Sequence, residues 1–96
     1  MNFQVLVKQK SIDAINELPK KSRKIIFDAL KGLEENPWPG GNGDKEKLHL
    51  KDELEMYRLH IGRRYTAWYT IHGGEHAVKI HDVMTIEQAH KKYGRL

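Results

Sequence analysis

Two periodicities divide the chain. Between residues 12 and 33 apolar side chains recur at helical spacing, and between residues 59 and 83 they alternate with polar ones. Ahead of both, Phe3-Gln4-Val5-Leu6-Val7 is β-rich and short, which predicts a first strand. Ser11 is placed to cap a helix carrying Ile12, Ile15 and Leu18, and Pro19 ends that helix and opens the next. The second helix carries Ile26, Ala29, Leu30 and Leu33 on one face. Lys20, Lys21, Arg23, Lys24 and Lys31 fall mostly on the other, a solvated basic face. Asn36 before Pro37 closes it. Residues 37–44 read as a loop, because their glycines and prolines permit no regular element. Trp38 within it is expected to fold back onto the body.

Past the loop the period becomes two. Leu59 and Ile61 alternate with Arg58 and His60, and Tyr65, Ala67, Tyr69 and Ile71 alternate with Arg64, Thr66, Trp68 and Thr70. Gly62 marks one turn and His72-Gly73-Gly74-Glu75 a hairpin turn, after which Ala77–Val83 form a last strand. Thr85 caps a terminal helix from Ile86 to about Tyr93, with Glu87 in its first turn, Lys91 and Lys92 in its last, and Gly94 as its stop. The expected architecture is α+β in one domain over residues 1–96: N-terminal strand, helical hairpin, antiparallel three-stranded meander, short C-terminal helix. The alternation puts Leu59, Ile61, Tyr65, Ala67, Tyr69, Val78 and Ile80 against the helices. It leaves Arg58, His60, Thr66, Trp68, Lys79 and His81 on an open opposite face.

Charge sharpens that picture. The formal net charge is only +4, yet residues 56–74 contain no Asp or Glu, and they mix Arg58, Arg63, Arg64, His60 and His72 with four aromatic rings. Cations beside flat rings suit a partner with a charged backbone and stackable bases, which points to RNA or DNA. Cysteine is absent, which excludes disulfides and thiolate-bound zinc. No apolar run approaches the ~20 residues of a membrane span, and the N-terminal apolar run is shorter than the ~7–15 residues of a signal-peptide core. A cytoplasmic protein that does not contact membrane is therefore expected.

Several side chains are candidates for chemistry. An imidazole at His60 can serve as base or acid, unless it is simply an exposed strand histidine. His81 and Lys79 share its face if the strands pair as proposed, which makes a two-histidine arrangement conceivable. His90 and Tyr93 on the terminal helix can stack on a base or donate a proton, or pack the helix down. Trp68 offers a stacking platform for a base. His72, His76 and Asp82 lie near one turn, but no ligand spacing fixes a site, so no metal and no other cofactor is expected. Gly40-Gly41-Asn42-Gly43 follows a helix and lacks the phosphate-loop lysine. Ser11 and Ser22 both fall in helices, which disfavours a serine nucleophile.

At this point the chain resembles the RelE/ParE toxin superfamily, the folded partners of toxin–antitoxin pairs. The likeness rests on strand, helical hairpin, Lys47-Leu48, then Tyr57-Arg58-Leu59-His60-Ile61-Gly62 and Tyr65-Thr66-Ala67-Trp68-Tyr69. These are similar to the family's Tyr-Arg-x-Arg-x-Gly and Tyr-Arg-x-x-Tyr. The RelE branch implies a type II toxin that cleaves mRNA on the ribosome through the RNA's own 2′-OH, without metal, and that a RelB-like antitoxin inhibits. Promoter DNA would then be met only through the antitoxin. Arg58 and His60 match two of the family's basic positions. Joined to the residue reading, this puts Arg58 and Arg64 on phosphate charge, His60, His81 and His90 as acid–base candidates, and Trp68, Lys79, Tyr93 and Arg63 as RNA contacts. The chain departs from the family at Thr66, Ile86 and His90, where relatives carry Arg, Arg and Tyr. Those departures keep open a ParE-like or catalytically weakened relative that acts by protein binding, as a topoisomerase poison or an antitoxin-bound co-repressor. A generic RNA-binding module is a third reading.

Overall fold

The computed structural model describes residues 2–40, 43–49 and 55–93, the side chains of His49 and Tyr93 excepted. The elements are β1 (Gln4–Val7), α1 (Gln9–Asn16), α2 (Lys20–Gly32), β2 (Lys45–His49), β3 (Glu55–Ile61), β4 (Tyr65–His72), β5 (Ala77–Thr85) and α3 (Ile86–Tyr93). All five strands form one sheet in the order β1-β5-β4-β3-β2. β1 runs parallel to β5 and the other pairs are antiparallel.

Alternation along the strands decides where the core lies. Tyr57, Leu59 and Ile61 of β3, Tyr65, Ala67 and Tyr69 of β4, and Val78, Ile80 and Val83 of β5 bury against Ile15 of α1 and Ile26 and Leu30 of α2, with Leu33 at the helix end. Each fully buried Leu or Ile contributes about 1.5–3 kcal/mol relative to exposure. Tyr65 and Tyr69, expected in this core, are there together with Tyr57, and the hydroxyls of the first two tie the sheet to its surroundings. Tyr69 donates to the Pro37 carbonyl at 2.7 Å and Tyr65 to Ser22 Oγ at 3.1 Å. Burial pushes the Tyr69 phenol far above its ordinary value, with Asp44 and Tyr57 adding to the effect.

A second apolar cluster sits on the other face of the sheet. Met56, Trp68 and Ala89 are buried together, with Leu48 and Met84 against them, so α3 lies over that face. The face expected to be open is therefore covered. The expected three-stranded meander is also too small. β2 pairs with β3 from Lys45 opposite Leu59 to His49 opposite Glu55, and its sequence, Lys-Glu-Lys-Leu-His, is the charged composition of an edge strand.

Two local details differ from the sequence reading. α1 begins at Gln9 with extended Lys8 as its N-cap, so Ser11 is a buried residue of the first turn rather than the cap. β1 runs almost directly into that helix, with only Lys8 between them. In the β4–β5 turn the left-handed residue is His76, at φ 54°, while neither Gly73 nor Gly74 has positive φ. The His76 ring stacks on Phe3 with centroids 4.1 Å apart. Trp38 does fold back, edge-on to Phe3 and Tyr57, but stays 46% exposed.

β5 carries a bulge. Trp68 pairs with Asp82 and the next residue, Tyr69, with Ile80, so His81 is the extra residue. The parity of the strand changes there: Val78 and Ile80 face the core on even numbers, Val83 on an odd one.

Candidate functional site

Arg58 and His60 lie two residues apart on β3 and project to the face that α3 covers. They line a cavity of about 60 Å³ with Thr66 of β4 and Ile86, Ala89 and His90 of α3. Register explains the grouping: Arg58 is opposite Trp68 and His60 opposite Thr66. Helical spacing explains the other wall, since Ile86, Ala89 and His90 fall at i, i+3 and i+4 on one side of α3.

Glu46 of β2 completes this cleft. Arg58 Nη2 donates to Glu46 Oε2 at 2.6 Å, and His60 Nε2 lies 3.4 Å from Glu46 Oε1. Glu46 is opposite Arg58 across the β2–β3 ladder, so its place follows from the register. Burial works to raise the Glu46 carboxyl, but the hydrogen bonds and charges of Arg58 and His60 outweigh it and hold the group below its ordinary value. The Arg58 guanidinium also sits 5.8 Å from the centroid of the Trp68 ring, a cation–π contact, and its Nε is buried without a hydrogen-bond partner. Arg58 is thus only 8% exposed, contrary to the expectation of an open strand arginine. His60 and Glu46 are more accessible, with side chains 33% and 43% exposed. They form the mouth.

The other expected site residues fall into separate groups. Trp68 is fully buried beneath α3 and presents no face on which a base could stack. Its expected role as a platform is corrected. Arg63 and Arg64 occupy the exposed β3–β4 turn and line a groove of about 380 Å³ with Thr85, Ile86 and Glu87. Ile86 separates that groove from the cleft, and the Arg64 guanidinium lies 6.0 Å from the Tyr65 ring centroid. His81 does not join His60. It shares the Thr70 hydroxyl with His72, each ring Nε2 at 2.8 Å, and Thr70 is four residues, roughly 13 Å, along β4 from Thr66. Lys79 lies opposite Thr70 on that face, paired with Glu75 at 3.3 Å. The Tyr93 side chain lies outside the described residues. Among the described residues no group of three His, Asp or Glu side chains is arranged to hold a metal ion.

Of the residues singled out in the sequence, Arg58, His60 and His90 come together at this cleft; Glu46 was not among them. Sequence reasoning also missed that α3 closes the face. Both signals were present. Glu46 stands in an alternating charged run, and Ile86 and Ala89 form an apolar stripe on α3 that needs a surface to cover.

No protein-family model matches this chain, and no curated protein sequence matches it significantly. Solved structures do match. A chain of the archaeal RelE–RelB complex from Pyrococcus horikoshii OT3 is 25% identical, with a TM-score of 0.73 over 88% of this chain and 96% of that one. A chain of the RelBE2 toxin–antitoxin complex from Mycobacterium tuberculosis is 15% identical, with a TM-score of 0.73 over 88% of this chain and 99% of that one. A variant of the E. coli toxin RelE in the free state is 16% identical, with a TM-score of 0.59 over 93% of this chain and 88% of that one. The chain has the RelE-like toxin fold.

Proposed function

We propose that this chain is the toxin of a toxin–antitoxin pair and that its cleft cleaves mRNA engaged on the ribosome. The observation that carries the reading is the convergence of Arg58, His60 and His90 on one cleft of a RelE-like fold. Solved complexes of RelE with RelB support a RelB-like antitoxin as the partner. Promoter DNA would be reached through that antitoxin, and the cytoplasm is where such a partner and ribosomes are found together. Among the described residues no helix is long and apolar enough to cross a membrane.

The proposed reaction needs three acts. The 2′-oxygen of the RNA loses its proton and attacks the adjacent phosphorus, the phosphorane gathers negative charge, and the 5′-oxygen leaves with a proton. The products are a 2′,3′-cyclic phosphate and a free 5′-hydroxyl. His60, at the mouth beside Glu46, takes the 2′-OH proton, with the carboxylate orienting the ring and stabilising the imidazolium that forms. Arg58 meets the phosphorane charge, and the low polarity around it strengthens that interaction. His90, on the opposite wall, supplies the proton to the leaving oxygen.

A cavity of about 60 Å³ is far smaller than the ~300–1,000 Å³ of sites that enclose a small-molecule ligand. RNA therefore reaches Arg58 only when α3 shifts or when Glu46 swings aside. Expression of Arg58→Ala or His60→Ala without antitoxin is expected to relieve a growth arrest that the parent chain causes. Equal arrest by both variants at equal protein level would overturn the site assignment.

A second reading, toxicity or repression through protein binding alone, is favoured by Thr66 and Ile86 in the cleft wall, where the family's pattern has arginines. It predicts arrest or repression with intact mRNA, so the two readings separate at the RNA.

A further inference from the structure

The extra residue of β5 places His81 in a basic groove of about 410 Å³ that is distinct from the cleft. Lys8 and Lys10, where β1 gives way to α1, form one wall. His72 of β4 and His81 of β5 form the floor around Thr70, and Asp82 and Lys92 close the side toward α3. Neither Lys8 nor Lys10 has an acidic partner among the described residues. The one carboxylate lining the groove, Asp82, faces the Lys92 ammonium at 2.7 Å. Three ammonium groups and two imidazoles thus surround a single acid.

The floor is ordered by hydrogen-bond arithmetic. A threonine hydroxyl has one proton to give, so with both rings neutral one Nε2 accepts from Thr70 and the other donates to it. Each ring spends Nε2 on Thr70 and keeps Nδ1 for another partner. The groove lies roughly 13 Å along β4 from the cleft, a span that a few nucleotides of single strand cover.

We propose that this groove holds a backbone phosphate of the same RNA strand whose scissile bond lies in the cleft. The inference rests on the cleavage reading for the identity of the strand, and on the groove itself for the phosphate. Burial holds the His81 imidazole below its ordinary value, and Lys8, His72, Lys79 and Lys10 press it further down. The carboxylates nearby, Asp82 and Glu75, are paired with Lys92 and Lys79. A bound phosphate opposes those cations and raises the His81 value. By linkage, binding of a backbone phosphodiester, whose own charge is constant there, must then tighten as pH falls through the histidine range.

The test uses the whole chain and two probes, inorganic phosphate and a short 2′-O-methylated RNA strand that cannot be cleaved. Ring signals of His72 and His81 are followed by NMR. Phosphate is expected to move both signals saturably and to raise the His81 titration midpoint. The double variant Lys8→Ala/Lys10→Ala should bind phosphate at the groove roughly tenfold more weakly, while Arg58→Ala/His60→Ala should leave the His72 and His81 response unchanged. The methylated strand should displace phosphate, with a salt dependence shallower by about 0.7 in the lysine variant, as for the loss of one phosphate contact. Unmoved ring signals, or a response that survives loss of both lysines, would overturn the site. Phosphate binding that the strand fails to displace would overturn the RNA assignment. Failure of the cleavage reading appears elsewhere, as unchanged arrest in the Arg58 and His60 variants.

Discussion

Glu46 determines what Arg58 can do. In the proposed reaction, a carboxylate 2.6 Å from the guanidinium occupies the place an incoming phosphate oxygen would need, so RNA would compete with an internal anion. Glu46→Gln keeps the shape and removes the charge. It is expected to tighten binding of uncleavable RNA several-fold in a fluorescence titration, while slowing cleavage if the carboxylate orients His60. The same variant has a pH signature. The Glu46 carboxyl is held below its ordinary value of 4.5 in the folded chain, so its contribution to stability is fully present above about pH 4.5 and is lost as pH falls through the lower folded value. Melting curves should show the variant less stable than the parent at neutral pH, with the gap closing in acid. None of this was legible from Glu46 alone, since a glutamate between two lysines reads as solvated surface until strand register sets it opposite Arg58.

At the level of elements, α3 converts an open sheet face into a closed cleft, and its N-terminus is held by a reciprocal cap. Gln88 N–H donates to Thr85 Oγ1 at 3.1 Å, and Thr85 N–H donates to Gln88 Oε1 at 2.9 Å. Ile86 N–H also donates to the Arg64 carbonyl at 2.8 Å. Thr85→Ala should cost about 1 kcal/mol of helix docking, seen as faster amide exchange confined to α3. Unchanged exchange would show that Ala89 and Met56 packing alone holds the helix. The cap was readable from Thr85 onward, and the two core helices from their apolar spacing. β2 was not, because a five-residue edge strand of mostly charged residues has no buried stripe to betray it. The β5 bulge left a trace: Ile80-His81-Asp82-Val83 sets two polar residues side by side, which strict alternation forbids.

Across the whole molecule, one sheet separates a large tyrosine-lined core from a smaller cluster around Trp68. The two tryptophans therefore make a direct check on the arrangement, since Trp68 is fully buried and Trp38 is 46% exposed. In a Trp38→Phe variant the remaining emission should be blue-shifted and resist acrylamide quenching. Readily quenched emission would reopen the second face. The acid-free stretch of residues 56–74 had suggested RNA, and the fold assigns most of its rings to packing, while Arg58 and His60 line the cleft. The central claim is that these two residues cut RNA. Its most direct test is to induce the chain without antitoxin and map the 5′ ends of ribosome-engaged mRNA by primer extension. The account predicts codon-phased ends that vanish with Arg58→Ala and with His60→Ala; intact messages in growth-arrested cells would contradict it.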